Sequence, residues 1–232
     1  MEHHRAVVVT DVHRLAVVEV VSDVVCPWCY IGKRRLEKAL ALVGQPGVQV
    51  RWRAFELNPN APKEGFDRHA YRTRKFGSTA YAKQLEAHVI DAGRDAGIEF
   101  RFDQIERVPN TLDAHRLIWL AGRDGAQDAI VENLFRAYFI EGLDIGNPEV
   151  LKKIATESQL DFAKVDELFT SDLGRHEVLD EEREAHTHGV SGVPTFFAGG
   201  RPVISGAQKP ELLASVLGPA LGRCSLEDGA CG

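Results

Sequence analysis

Leu15-Ala16-Val17-Val18-Glu19-Val20-Val21-Ser22-Asp23-Val24-Val25-Cys26-Pro27-Trp28-Cys29-Tyr30 decides the fold of this chain. The run from Leu15 to Val21 is apolar and rich in β-branched residues, which predicts a strand. From Tyr30 to Leu42 the pattern becomes helical. Cys26 and Cys29 thus fall on the first turn of a predicted helix. Two thiols at i and i+3 there can close a small disulfide ring with little backbone movement. The helix N-terminus carries partial positive charge and unpaired N–H groups, so a thiolate at that end is stabilised. Such a thiolate is a nucleophile and a good leaving group near neutral pH.

A C-x-x-C pair can also be half of a zinc site. Zinc needs two more N or S ligands. The remaining cysteines, Cys224 and Cys231, are spaced C-x6-C at the far terminus and form no second knuckle. Pro27 suits the first helical turn, whereas zinc knuckles favour a Gly-containing turn. The strand before and the helix after favour redox chemistry. A second motif supports this reading. In Gly189-Val190-Ser191-Gly192-Val193-Pro194-Thr195-Phe196-Phe197 a proline directly precedes an apolar strand-like run. Proline sits at strand starts, and a cis X–Pro bond makes a sharp approach to one.

Together the two motifs resemble the thioredoxin superfamily, and within it the DsbA-like oxidoreductases. There a C-P-x-C helix faces a cis-proline preceded by Val and followed by Thr, as in Val193-Pro194-Thr195. Ser22 to Lys33, Phe55-Glu56-Leu57-Asn58-Pro59 and Asn110 to Leu117 are similar to the FrnE-like subgroup. The resemblance implies an α/β fold: a thioredoxin-like core carrying a large inserted all-helical subdomain. It implies a cis Val193–Pro194 bond close to Cys26, with the backbone of Val193 free to pair with an extended substrate segment.

The expected organisation is a discontinuous core over 15–62 and 189–222, a helical insertion over 63–188, and a mobile Cys-containing tail over 223–232. Tyr30 to Val43 is the first predicted helix, stopped by Gly44. Val48 to Phe55 alternates like a half-buried strand. Tyr81, Leu85, Val89 and Ala92 are expected on one face of a helix that Gly97 ends. Asn110 or Thr111 should cap the helix of Leu112 to Gly122, and Asn147-Pro148 should open another. Further helices are predicted over Gln127 to Ile140, Phe162 to Phe169 and Arg175 to His188. Thr195 to Ala198 and Pro202 to Ser205 read as a hairpin, and Pro210 to Leu217 as the closing helix.

At 232 residues the chain can bury one substantial core. Its 44% hydrophobic and 27% charged content is ordinary for a globular protein. A formal net charge of −6 and the lack of a basic run argue against nucleic acid as a partner. No apolar run approaches the ~18 residues of a membrane span. The N-terminal segment has no secretory apolar region, so a cytoplasmic location is expected, where such a dithiol is catalytic and not a structural cross-link.

Cys26, expected at the exposed end of the helix, is the expected nucleophile, flanked by Pro27 and Trp28. Cys29 is the expected resolving thiol. Trp28 supplies no charge, so Cys26 is expected to be less activated than beside an imidazole. Val193, Pro194 and Thr195 are the candidate substrate-binding residues. Asp23 is either a proton relay for Cys29 or a solvated loop carboxylate or turn-forming Asp. Cys224 and Cys231 are either a second dithiol that exchanges with the first or an incidental pair. His186 and His188 lack the further ligands a metal needs. No cofactor beyond the Cys26–Cys29 disulfide is expected. The expected partners are protein or peptide thiols and disulfides, with a small thiol or thioredoxin-type protein as electron donor, on a monomer or dimer.

Three functions compete. The first is a thiol–disulfide oxidoreductase or isomerase acting on proteins. The second is a glutathione-dependent isomerase or transferase, of the 2-hydroxychromene-2-carboxylate isomerase or kappa-class kind. Those relatives carry serine where this chain has Cys26, and retention of both thiols favours the first. The third is a non-catalytic partner in natural-product tailoring.

Overall fold

The computed structural model describes residues 16–224 of the chain, with side chains through residue 222. β1 (Val17–Ser22) leads through the Cys26 turn into α1 (Pro27–Val43), which crosses over to β2 (Gln49–Ala54). A largely helical stretch follows: β3 (Phe66–Asp67), α2 (Arg68–Phe76), α3 (Thr79–Ala96), β4 (Arg107–Val108), α4 (Leu112–Arg123), α5 (Gln127–Phe139), α6 (Pro148–Glu157), α7 (Phe162–Thr170) and α8 (Arg175–Thr187). The chain then returns as β5 (Thr195–Ala198), β6 (Arg201–Ser205) and α9 (Pro210–Cys224).

The main sheet has the order β2-β1-β5-β6. β1 and β2 run parallel with Val20 opposite Trp52, whereas β5 is antiparallel to both β1 and β6. β1 is central, and Val18, Val20 and Val21 are all fully buried. The face of Val18 and Val20 is covered along its length, whereas the other face is covered only at Val21, with Val17 exposed and Glu19 partly exposed. α1 ends at Gly44, which takes the left-handed conformation (φ 65°) and donates to the Leu40 carbonyl.

The helical stretch does not stand apart from the sheet. One continuous apolar core contains Ile31 and Leu36 of α1, Trp52 of β2, Leu117 of α4 and Leu134 and Phe135 of α5. The Tyr30 ring stacks on Phe135 with centroids 4.9 Å apart. β2 is a sheet edge, a place where unpaired backbone groups invite aggregation. Here helix side chains cover it. The Gln127 amide accepts from the Trp52 N–H (2.8 Å) and donates to its carbonyl (3.0 Å). Glu181 accepts from the Ala54 N–H at 2.9 Å and Glu182 from the Glu56 N–H at 2.6 Å. Lys33 on α1 is 3% exposed and meets Glu37 at 2.6 Å, Asp128 at 3.0 Å and Glu132 at 3.4 Å, tying α1 to α5.

Two local expectations, on α3 and α9, need correction, and the two cap candidates of α4 divide the role between them. On α3 the buried residues are Ala82, Val89, Gly93 and Ala96, and Tyr81 is 50% exposed. A Cβ on Gly93 would lie 2.5 Å from the Phe100 ring, so the small-residue side of α3 seats on the aromatic core and the larger Tyr81 is turned out. At α4, Thr111 occupies the cap position without a side-chain bond, and the Asn110 Oδ1 accepts from the Leu112 N–H at 3.0 Å. α9 does not stop at Leu217 but runs through Pro219 to Cys224. Leu213, Leu217 and Leu221 form one buried stripe at i, i+4, i+8. Burying Leu221 contributes about 2 kcal/mol, which offsets much of the ~3 kcal/mol cost of a proline inside a helix.

Candidate active site

Cys26 is the N-cap residue of α1, with extended backbone (φ −92°, ψ 113°), and Pro27 follows at the first helical position. Proline fits there because its missing N–H would have no intrahelical partner. The Cys26 N–H donates to the Asp23 carbonyl at 3.0 Å, and the Cys26 carbonyl accepts from the Cys29 N–H at 2.9 Å. This tight turn sets both thiols at the helix start. Cys26 is 6% exposed and Cys29 is fully buried. The expectation of an exposed Cys26 is therefore too strong: its thiol reaches the surface only through a groove, and Cys29 is sealed behind it.

The Val193–Pro194 bond is cis. The Cys26 thiol donates to the Val193 carbonyl at 3.8 Å. The loop is held from two sides. The Thr195 hydroxyl donates to the Gly192 carbonyl at 2.8 Å and lies 3.1 Å from the Ser205 hydroxyl, and the Gly206 N–H donates to the Pro194 carbonyl at 2.8 Å. Beneath the loop lies Gly32. A Cβ added there would be 2.8 Å from Pro194 Cγ, so only glycine lets α1 approach the proline this closely.

The two thiols have different acidities. The Cys29 thiol, donating to Cys26, holds the Cys26 thiol below its ordinary value; burial opposes this, the backbone groups of Cys29 and Trp28 assist, and the Asp23 charge opposes. Cys29 is pushed well above its ordinary value by burial, and then by its role as donor to Cys26 and by the Cys26 charge. The Ser22 hydroxyl and the Asp23 backbone partly compensate. In such a pair Cys26 is the thiol that ionises first.

Pro27 and Trp28 border a cavity of about 400 Å³ between the dithiol and the inserted helices. Its inner wall is apolar, from Val89, Phe102, Val108 and Phe139, and its opposite wall carries Arg68, Arg72 and Lys75 with Glu86. Arg68 donates to Glu86 at 2.7 Å, and Arg72 pairs with the same carboxylate.

Asp23 is fully buried, which rules out the solvated-loop reading. Its Oδ2 accepts from the Leu57 N–H at 2.7 Å and its Oδ1 from the Val25 N–H at 3.3 Å. His115 Nε2 of α4 lies 3.5 Å from Oδ1. Sequence reasoning gave no role to His115, Glu56 or Glu182, which are 2%, 7% and 9% exposed. The first two lie within the segments that carry the family resemblance, and that was the available signal. Glu182 had none: on a charged helix it looks like a solvated face residue. Burial, together with the Glu182 and Asp23 charges, raises the Glu56 carboxyl to about 7, against the attraction of His115 and Arg175. His115 itself is raised: burial would lower it, but Asp23, Glu56 and Glu182 outweigh that effect.

The structure brings Cys26, Cys29, Pro27, Trp28, Asp23, Val193, Pro194 and Thr195 into one neighbourhood. Cys224 ends α9, and the proposed Cys224–Cys231 pair lies outside the described residues. The His186 ring packs on Phe55 and that of His188 on Phe197. Among the described residues no three His, Cys, Asp or Glu side chains are grouped to hold a metal ion. No described helix is long and apolar enough to cross a membrane.

Residues 17–218 match the family model of the DSBA-like thioredoxin domain. The Bacillus subtilis (strain 168) protein YwbO is 29% identical over 195 residues, spanning 82% of this chain and 90% of that protein. The structure of a probable DsbA oxidoreductase, SCO1869 from Streptomyces coelicolor, is similar at 33% identity and a TM-score of 0.79, with 94% of this chain and 96% of that chain covered. A 2-hydroxychromene-2-carboxylate isomerase shares the fold at 20% identity and a TM-score of 0.66, covering 91% and 100% of the two chains. By its matched span, its sheet order and its cis-proline facing the start of α1, this chain belongs to the DSBA-like thioredoxin family.

Proposed function

We propose that the chain is a thiol–disulfide oxidoreductase or isomerase acting on protein or peptide disulfides through Cys26 and Cys29. The observation that carries this reading is the asymmetry of the pair: a Cys26 thiol of lowered pKa, 3.8 Å from the Val193 carbonyl and opening on a groove, backed by a sealed Cys29 thiol of raised pKa. The Cys26 thiolate attacks a substrate disulfide in line. A mixed disulfide forms and one substrate thiol leaves. Cys29 then attacks Cys26 Sγ, releases the second substrate sulfur and leaves the Cys26–Cys29 disulfide. A small thiol or a thioredoxin-type protein returns the pair to the dithiol. The cis-proline loop offers the Val193 backbone to an extended substrate segment, in the manner of strand addition, and the groove beside Trp28 receives the flanking apolar side chains.

A glutathione-dependent isomerase or transferase is the second reading, because that isomerase shares the fold. Its chemistry needs one group at the Cys26 position and leaves Cys29 without a role. Insulin reduction by dithiothreitol, measured beside refolding of scrambled ribonuclease, tests the proposal. Acceleration of either reaction, lost in Cys26→Ser, supports it. Failure in both, with a folded protein, contradicts it.

A further inference from the structure

α2 turns a cationic stripe toward the cavity that opens beside Cys26. Arg68, Tyr71, Arg72 and Lys75 all line it, and their spacing of i, i+3, i+4 and i+7 puts them on one helix face. No residue of α2 is buried, so core packing does not account for this stripe, and like charges a turn apart weaken a helix. The cations outnumber their partners. Among the described residues that line the cavity, Glu86 is the only carboxylate, and two guanidiniums take it: Arg68 at 2.7 Å, and Arg72. Lys75 is left without a carboxylate among the described residues. Its ammonium donates to the Tyr71 hydroxyl at 2.8 Å, which in turn donates to Asn58 Oδ1 at 2.8 Å. Tyr71 thus fixes Lys75 and ties α2 to the segment after β2. The Arg68 guanidinium lies over the Phe102 ring, 5.5 Å from its centroid, so the cationic wall joins the apolar one there. This local excess of positive charge stands in a chain whose formal net charge is −6.

We propose that this wall selects protein disulfides whose attacked cysteine has an acidic side chain on one flank and an apolar one on the other. The acidic group meets Lys75 and the Arg68–Arg72 pair, and the apolar one enters against Phe102 and Phe139. This rests on the reading of Cys26 and Cys29 as a redox pair and names its substrate class. A round cavity of about 400 Å³ is about 9 Å across, room for roughly three residues of extended chain, so both flanks fall within it. The Arg68 and Arg72 side chains are 18% and 17% exposed, so a carboxylate in the groove meets them with less screening than at an open surface. An extended segment paired with Val193 carries side chains on both sides of its cysteine and engages both walls. A small acidic disulfide without an apolar flank engages only one.

The test uses the reduced protein and three peptide disulfides, alike but for the flanking residue. Each has phenylalanine on one side of the cysteine and glutamate, glutamine or lysine on the other. The second-order rate of dithiol oxidation is read by mass spectrometry after acid quenching. The net charge of −6 by itself favours the lysine peptide, so a preference for glutamate reports the local wall. The glutamate peptide should react about tenfold faster than the lysine peptide at about 20 mM salt, and within about twofold of it at about 0.5 M. Lys75 is exposed, so Lys75→Glu should fold, and it should bring the two rates together or reverse their order. Equal rates for the three peptides, or a glutamate preference that survives Lys75→Glu, overturn the proposal. So does glutathione disulfide, acidic but without an apolar flank, reacting as fast as the glutamate peptide. No oxidation of the parent by even the glutamine peptide would instead overturn the redox reading of Cys26 and Cys29.

Discussion

Gly32→Ala probes how α1 positions the proline loop. The new Cβ would lie 2.8 Å from Pro194 Cγ and 3.4 Å from Pro194 Cβ. Carbon atoms pack at ~3.5–4.0 Å, so the ring must retreat by ~0.7 Å or more. The proline cannot swing aside as a flexible side chain could, because the Gly206 N–H and the Thr195 hydroxyl hold its loop. Overpacking of this kind costs about 1–3 kcal/mol. Alanine in place of glycine in a helix returns about 1 kcal/mol. The net loss of stability is therefore small, at most about 2 kcal/mol. The contact between Cys26 Sγ and the Val193 carbonyl is already 3.8 Å, so moving the loop outward removes it. A misplacement near 1 Å at a reacting centre costs about 10²-fold in rate. Urea denaturation should thus report a near-native protein while insulin reduction falls by about two orders of magnitude. A Gly32→Ala protein that keeps its exchange rate within about twofold would refute the claim that the close approach of α1 and Pro194 builds the site.

Two further outcomes follow from buried charge. Lys33→Met leaves Glu37, Asp128 and Glu132 facing one another without their cation. Because those carboxylates reach solvent, denaturant unfolding should show a loss of about 1–3 kcal/mol, less than the 3–5 kcal/mol of a fully buried pair. Glu56 is protonated more readily in the folded than in the unfolded chain, its carboxyl raised to about 7 from 4.5. The folded state therefore binds more protons between those values, and its stability falls as pH rises through that window. Relative to Glu56→Gln, the parent should lose up to about 3 kcal/mol between pH 4.5 and 8, read by urea unfolding at several pH values, and a flat difference would contradict the burial argument.

The parts legible in the sequence are those set by local pattern. The valine run of β1, the proline at the start of α1, Gly44 at its end and Val193-Pro194-Thr195 before β5 each declare their structure through backbone chemistry. The family resemblance joined them into one site. The rest depends on tertiary partners that no local pattern encodes. The two-residue ladder of β3 and β4 is too short for periodicity to register. Tyr81 looks like a core residue until Gly93 and Phe100 take the inner face of α3. Pro219 looks like a helix stop until Leu221 is seen to continue the buried stripe. Asp23 could be read either as a turn residue or as a relay, and only its burial against Leu57 and His115 decides against an exposed role. Gln127, Glu181 and Glu182 look like ordinary polar surface residues of helices, and their pairing with β2 and, for Glu182, with the Glu56 N–H just beyond it is visible only once the sheet edge is in place.

The central claim is that Cys26 attacks and Cys29 resolves. The most direct measurement is intact-protein mass spectrometry of Cys29→Ser and Cys26→Ser after exposure to a peptide disulfide at neutral pH. The account predicts a stable peptide adduct on Cys26 in Cys29→Ser and none at a comparable rate in Cys26→Ser. An adduct forming as fast on Cys29 in Cys26→Ser, or no adduct in either protein, would contradict it.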